Sequence, residues 1–311
     1  MPTNKQKIIA IVGPTGVGKT KIAIELAKRV KEFSNYNSAE IISCDSRQIY
    51  LDMDIATAKP TKEETAQIPH HLYNFVSPKK KDYSVALYVK DAQKKIEELL
   101  NKSILPVVTG GTGLYFKSLL GEFDIPKVPP NYELREKLNK KSNDELHQIL
   151  TEKDYELSKK IHPNNKNKII RALEVIETLG IPMSKAQKKK ESPYDITWIG
   201  LDAKSREFLY DRINLRCENM LKQGLLDELK TLIKKYGEND LIKATIGYSE
   251  FLPFLSGEIS MEDAISKFKQ HTRNYAKRQL SWFRADKNVN WFFIDKMNDE
   301  QILEGIIKLC S

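Results

Sequence analysis

The chain has 311 residues, 40% of them hydrophobic, enough to fill one large core or two modest ones, so one domain with an inserted or appended unit is expected. Lys and Arg outnumber Asp and Glu by 51 to 42, and the net charge of +9 favours a polyanionic partner. No run approaches the ~20 apolar residues that span a bilayer, and Met1 to Lys7 has no apolar signal core. Cys44, Cys217 and Cys310 are odd in number and far apart, which excludes a disulfide framework and a zinc cluster and leaves a cytoplasmic, membrane-free protein as the expectation.

In chain order, Ile8 to Val12 is an apolar β-branched run that reads as a strand, and Lys19 to Val30 has the period of a helix. Between them Gly13-Pro14-Thr15-Gly16-Val17-Gly18-Lys19-Thr20 fits G-x-x-x-x-G-K-[ST], the phosphate loop. Its glycines let backbone N–H groups close around phosphate oxygens at the positive end of a helix. Lys19 adds a point charge, and the Thr20 hydroxyl is suited to ligate Mg²⁺. An ordinary strand-to-helix turn would not need this lysine.

Glu40 to Cys44 reads as the next strand, followed by Asp45-Ser46-Arg47-Gln48, and His71 to Val76 as another. Adjacent residues of a strand point to opposite faces, so His70 and His71 make a poor metal pair and no transition metal is expected. In Ser84 to Leu100, Val85, Val89, Ala92, Ile96 and Leu99 step along one helix face. Ile104 to Thr109 is a strand that runs into Gly110-Gly111-Thr112-Gly113-Leu114-Tyr115. This alternation predicts an α/β fold, a phosphate-loop NTPase-like parallel sheet flanked by helices.

From Gly121 the texture changes. Asp124-Ile125-Pro126-Lys127-Val128-Pro129-Pro130 punctuates the chain and charged helical segments follow to Pro193, so residues 124–193 are expected to form an inserted all-helical domain within a core of 1–123 and 194–311. Ser142 to Glu145 reads as a capping box, Gly180 and Pro182 end the helix carrying Ala172 to Ile176, and Lys188 to Lys190 reads as a solvated loop edge. Thr197 to Leu201 is a returning strand, with long helices beyond Ser205.

Ligands of parallel sheets gather at the carboxyl ends of the strands, so the phosphate loop, Asp45 to Gln48 and Thr109 to Tyr115 define one expected site. On the residues alone Asp45 fits three roles: Mg²⁺ ligand, general base, or turn-forming Asp. Arg216 fits either an anion site or, with Arg206 and Arg212, an exposed helix face. In the last long helix Lys269, Arg273, Lys277 and Arg284 are candidate phosphate contacts, and Phe268, Ala276 and Phe283 a core face.

The stretches Gly13 to Thr20, Asp45 to Tyr50, Met53 to Pro60, Pro69 to Leu72 and Gly110 to Tyr115 together resemble the motifs of the bacterial tRNA dimethylallyltransferase family. Ile161 to Asn164, Arg171 to Val175, Ile246 to Tyr248 and Thr272 to Gln279 extend the resemblance over nearly the whole chain. It implies Mg²⁺-dependent transfer of a dimethylallyl group from dimethylallyl diphosphate to N6 of the adenine 3′ of the tRNA anticodon; a monomer is expected. It further implies that Asp45 is the base, Thr15 places the reacting groups and Arg216 binds the diphosphate. By the same resemblance Asp45, Ser46, Arg47, Gln48, Thr112, Arg135, Asn167, Lys168, Arg171, Ala244, Gly247, Tyr248 and Lys277 approach the tRNA. Two departures stand out: Asn167-Lys168 replaces a usual Gln-Arg pair, and Ser249 follows Tyr248 where some relatives carry a cation. The rival readings are a small-molecule kinase or other ATP-binding enzyme, a prenyltransferase acting on a free adenine nucleotide, and an inactive RNA-binding protein.

Overall fold

The structure, a computed structural model, describes residues 5–80, 82–121, 126, 128–186 and 191–311. Asp124, Ile125, Lys127 and Lys188 to Lys190 lie outside the described residues. Two compact units are present: Met1–Leu119 with Pro193–Ser311, and Leu120–Ser192.

The first unit is built on six parallel strands: β1 (Gln6–Val12), β2 (Ser38–Ser43), β3 (His70–His71), β4 (Ile104–Thr109), β5 (Tyr194–Asp202) and β6 (Asn290–Phe293), in the order β3-β2-β4-β1-β5-β6. Ile8, Ile9, Ala10 and Ile11 of β1 are wholly buried, as are Ile41 and Ile42 of β2 and Val107 and Val108 of β4. Strands buried on both faces read as unbroken apolar runs, which is the pattern of these segments. The register pairs Thr109 of β4 with Ile11 of β1 and with Ser43 of β2, so the carboxyl ends of these three neighbouring strands lie level.

In chain order the helices of the first part are α1 (Lys19–Lys28), α2 (Lys62–Gln67), α3 (Val85–Asn101) and α4 (Gly113–Leu119). Ala92, Ile96 and Leu99 of the expected α3 face are buried, but its N-terminal end differs. Tyr88 is wholly buried and donates its hydroxyl to the Ser43 carbonyl at 2.7 Å, whereas Val85 and Val89 are half-buried. An aromatic ring with a satisfied polar tip takes the place that aliphatic spacing suggested. The expected strand from His71 to Val76 is also corrected: only His70–His71 pair with β2, and Leu72 (φ 62°) and Asn74 (φ 52°) turn left-handed and break the pleat. Val76 returns to a single bridge with Tyr50.

The second unit holds α5 (Tyr132–Asn139), α6 (Asn143–Lys153), α7 (Tyr155–Ser158), α8 (Lys166–Leu179) and α9 (Met183–Ala186). Ser142 and Glu145 form a reciprocal capping box at α6, and Gly180 closes α8 in the left-handed conformation. Leu138, Leu146, Leu150, Ile169, Ile170, Leu173 and Ile176 make its core. Against that core lies Glu174, fully buried, which accepts Nε and Nη2 of Arg135 at 2.8 Å each, Nη1 of Arg171, and the Asn131 N–H at 2.6 Å. These partners hold the Glu174 carboxyl below its ordinary range against the desolvation that would raise it.

The chain then completes the first unit with α10 (Arg206–Lys222), α11 (Leu225–Tyr236), α12 (Asp240–Lys243), α13 (Leu252–Leu255), α14 (Met261–Arg284) and α15 (Asp299–Cys310). Cys44, Cys217 and Cys310 are free and buried. Among the described residues no helix is long and apolar enough to cross a membrane.

Glu174→Ala should lower the stability of the helical unit by about 2–3 kcal/mol, the low end for breaking a buried pair, because both guanidinium groups are partly exposed and rehydrate. Hydrogen exchange of the α8 amides in the full chain would show it as faster opening of α8, with the sheet amides unchanged.

Candidate active site

The phosphate loop runs from the end of β1 into α1. It approaches β5 so closely that a Cβ on Gly13 (φ 144°) would lie 2.3 Å from the Leu201 carbonyl oxygen, which only glycine permits. Lys19 folds back, its Nζ donating to the carbonyls of Gly13 at 3.0 Å and Pro14 at 2.8 Å. Helix α10 braces the loop, with Arg212 Nε donating to the Gly16 carbonyl at 2.9 Å.

Arg216, one turn beyond Arg212, lies half-buried in the electrostatic reach of both Lys19 and Asp45. Burial, then repulsion from Arg216, brings Lys19 down to about 7, with Asp45 opposing. Burial likewise lowers Arg216 below its ordinary value. Two desolvated cations beside one carboxylate make a site whose unmet electrostatic need is an anion.

At the end of β2, Asp45 Oδ1 accepts the Arg47 N–H at 2.8 Å, so the turn-forming role is present, and Oδ2 faces the side of Gly111, where an added Cβ would lie 3.5 Å from it. Ser46 and Thr112 join the second and third loops, the Ser46 N–H donating to Thr112 Oγ1 at 3.0 Å. The Gln48 side chain accepts from Ser43 Oγ and donates to the carbonyls of Thr57 and Ala58, which occupies its amide within the fold. Arg47 Nη2 reaches the Ala244 carbonyl at 3.3 Å.

The remaining expected contact residues divide by exposure. Asn167 and Lys168 are exposed on the first turn of α8, Lys277 is exposed on α14, and Ala244 is exposed. Arg135 and Arg171 spend their guanidinium groups on Glu174. Gly247 is buried with its N–H on Glu250 Oε2 at 2.7 Å, and Tyr248 is wholly buried with its hydroxyl on Glu228 Oε1 at 2.7 Å, so the tyrosine ring is not offered at the surface. The expected cation row on α14 is largely paired: Lys269 with Glu218, Arg273 with Asn214, and Arg284 with the buried Asp202.

Two residues of the site went unread in the sequence. Arg212 carries no signal beyond its charge. Gln279 does: it interrupts the buried stripe of α14 formed by Phe268, Thr272, Ala276, Leu280 and Phe283, and a polar residue on such a stripe asks for partners. Helix α14 also brings Tyr275 to Thr112, and burial followed by the nearby Asp45 charge pushes its phenol well above the ordinary range.

For a metal, no group of three or more His, Cys, Asp or Glu suited to one occurs among the described residues. Mg²⁺ needs less, since it keeps waters and substrate phosphates and takes one or two protein oxygens. Besides Thr20 and Asp45, the Thr109 hydroxyl is buried without a hydrogen-bond partner at the carboxyl end of β4. These are hard oxygen donors, the chemistry that suits that ion.

A family model described as IPP transferase matches residues 48–286, and one described as isopentenyl transferase matches residues 6–73. The tRNA dimethylallyltransferase of Caldanaerobacter subterraneus subsp. tengcongensis is 41% identical over 97% of this chain and 96% of its own length. The chain belongs to the IPP transferase family. It is therefore an enzyme of the prenyltransferase class. Another IPP transferase relative, the tRNA dimethylallyltransferase of Thermoanaerobacter sp. (strain X514), is 43% identical over 97% of this chain and 96% of that one. Among solved structures, the tRNA delta(2)-isopentenylpyrophosphate transferase of Staphylococcus epidermidis superposes with a TM-score of 0.71 at 38% identity, covering 98% of each chain. A eukaryotic dimethylallyltransferase acting on tRNA gives 0.79 at 28% identity, covering 97% of this chain and 78% of that one.

The lowered Lys19 value has a measurable consequence. Below pH 7 the free site already holds the proton that an anion wants; above it, binding must recruit that proton, so affinity falls by up to tenfold per pH unit until the ligand-bound lysine itself titrates. Diphosphate affinities measured from about pH 6 to 9 should show this slope, and Lys19→Met should remove it while leaving the ionisation of diphosphate itself as the common background.

Proposed function

We propose that this chain transfers the dimethylallyl group of dimethylallyl diphosphate to N6 of the adenosine 3′-adjacent to the anticodon (position 37) of tRNA. The observation that carries the reading is the convergence of Lys19, Arg216 and Asp45 at the phosphate loop of a chain whose relatives are tRNA dimethylallyltransferases over their full length.

In this reaction the allylic C1–O bond breaks and diphosphate departs, while N6 bonds to C1 and gives up a proton. Lys19, Arg216 and the loop amides from Gly16 to Thr20 hold the charge that develops on the leaving group, with Thr15 close by to place the reacting carbon. Thr20 would hold Mg²⁺, which when bound would supply Lewis-acid stabilisation to the leaving diphosphate.

The exocyclic amine is a weak nucleophile and too weak an acid to be deprotonated beforehand by a carboxylate. Its acidity rises as the new bond forms. Asp45 keeps Oδ2 apart from the Arg47 N–H that Oδ1 accepts, and with it orients N6 and takes the proton late.

The adenine must leave its stack to reach the donor, at a cost of a few kcal/mol. Ser46, Arg47, Thr112, Asn167, Lys168, Ala244 and Lys277 are assigned to tRNA contact that offsets this cost, and Gln48, Gly247 and Tyr248, whose amide, N–H and hydroxyl are bonded within the fold, to holding these neighbours in place. Arg135 and Arg171 shape the helical unit through Glu174 and present their exposed edges to the RNA. An ATP-dependent kinase is disfavoured because β4 ends in Thr109-Gly110-Gly111, with no carboxylate to hold a second metal oxygen.

Incubated with unmodified tRNA, Mg²⁺ and dimethylallyl diphosphate, the protein should yield adenosine carrying one five-carbon unit in digests read by mass spectrometry, without ATP. No modified nucleoside, or one that appears only with ATP, would sink the proposal. Asp45→Asn should lower the single-turnover rate by about 10²–10⁴-fold with tRNA affinity kept within a few-fold. A near-normal rate would return Asp45 to its turn.

A further inference from the structure

The geometry points to Gln279 as a positioning residue that sets the donor loop and the base in one frame. Gln279 is only 4% exposed on α14, and its amide is divided between two loops. Oε1 accepts the Thr15 N–H of the phosphate loop at 2.9 Å, and Nε2 donates to the Gly111 carbonyl at 3.0 Å. The loops it joins follow different strands, β1 and β4.

The contact is built to be close. A Cβ on Gly111 would lie 2.0 Å from Gln279 Nε2 and 3.5 Å from Asp45 Oδ2. The space that a side chain at position 111 would fill is thus bordered by the glutamine amide on one side and the carboxylate on the other. The amide holds the Gly111 carbonyl, so its movement moves the loop that passes beside Asp45. At its other end the same amide fixes the Thr15 N–H toward α14. A buried amide with both ends satisfied is rigid, and removing either function leaves a buried donor or acceptor without a partner.

This assignment rests on the prenyl-transfer reading, since what Gln279 positions is the donor carbon relative to Asp45. A displacement of about 1 Å in such a frame costs on the order of a hundredfold in rate without loss of binding. Gln279→Met keeps length and volume and removes both hydrogen bonds; Gln279→Glu keeps the acceptor for the Thr15 N–H and loses the donor to Gly111.

The test is single-turnover transfer at saturating donor, with tRNA affinity and melting temperature measured in parallel. The expected result is a rate about a hundredfold lower in Gln279→Met, an intermediate rate in Gln279→Glu, and tRNA affinity within threefold in both. Gly111→Ala should lose a similar factor, and the Gly111→Ala/Gln279→Met double variant should be no slower than the worse single, because both act through one contact. A Gln279→Met rate within threefold of wild type, or additive losses in the double variant, would overturn the assignment. If Gln279→Met melts early, the rate of Gln279→Glu decides in the same way. Inactive wild-type protein would instead overturn the prenyl-transfer reading, so the two failures are distinct.

Discussion

At the carboxyl end of the sheet the backbone of one strand end meets that of the next at distances a side chain would forbid. A Cβ on Gly13 would strike the Leu201 carbonyl at 2.3 Å, and one on Gly110 the Cys44 carbonyl at 2.2 Å. Everything in the site follows from these two approaches. The first lets the phosphate loop close over the end of β1 beside β5; the second brings the loop after β4 onto the loop after β2, where Thr112 N–H reaches the Cys44 carbonyl at 3.3 Å. Asp45 and the anion-binding lysine thereby come from different strands yet share one field.

That field is costly to assemble. Lys19 and Arg216 repel one another and have both lost solvent, and Asp45 only partly offsets this. The fold sustains the arrangement by spending neutral contacts around it: the carbonyls of Gly13 and Pro14 take the Lys19 ammonium, and Arg212 ties Gly16 to α10. A polyanionic leaving group relieves the repulsion as its charge grows. This is the direction in which a preorganised site favours the transition state over the ground state.

What could be read from sequence was set by local rules. The strand, glycine loop and helix at the N-terminus, the capping box at Ser142 and the stop at Gly180 are each decided within a few residues. The errors fall where distant chain decides. His71 to Val76 has strand composition, but Lys59 binds Asn74 and the backbone turns left-handed there. Tyr88 displaces valines on α3 because the Ser43 carbonyl of another element receives its hydroxyl. Arg171 and Glu174 stand three apart and could have been paired on sight, but Arg135 joins them from a separate helix. Gln279 was visible as a polar break in an apolar stripe, while its two partners, 264 and 168 residues away, were not.

The family motifs themselves prove to be of mixed physical kind. In sequence, Met53 to Pro60 and Ile246 to Tyr248 are both blocks of the family resemblance, and the second is implied by it to approach the tRNA. In the structure one carboxylate, Glu228 in the first turn of α11, accepts the N–H groups of Asp54 at 2.9 Å, Ile55 at 2.7 Å and Ala56 at 3.1 Å, and the Tyr248 hydroxyl at 2.7 Å. Four donors thus converge on one carboxylate at a helix N-terminus, where the helix dipole favours negative charge. Glu228 therefore locks the two blocks to each other, Ala56 against the bare Gly247, and Gln48 in turn takes the carbonyls of Thr57 and Ala58 just behind Asp45. A tyrosine that donates inward cannot also read a base with its hydroxyl. The internal network thus fixes the two blocks to each other inside the fold, and under the proposed reading their part is to hold the backbone beside Asp45 rather than to offer the Tyr248 ring to the RNA.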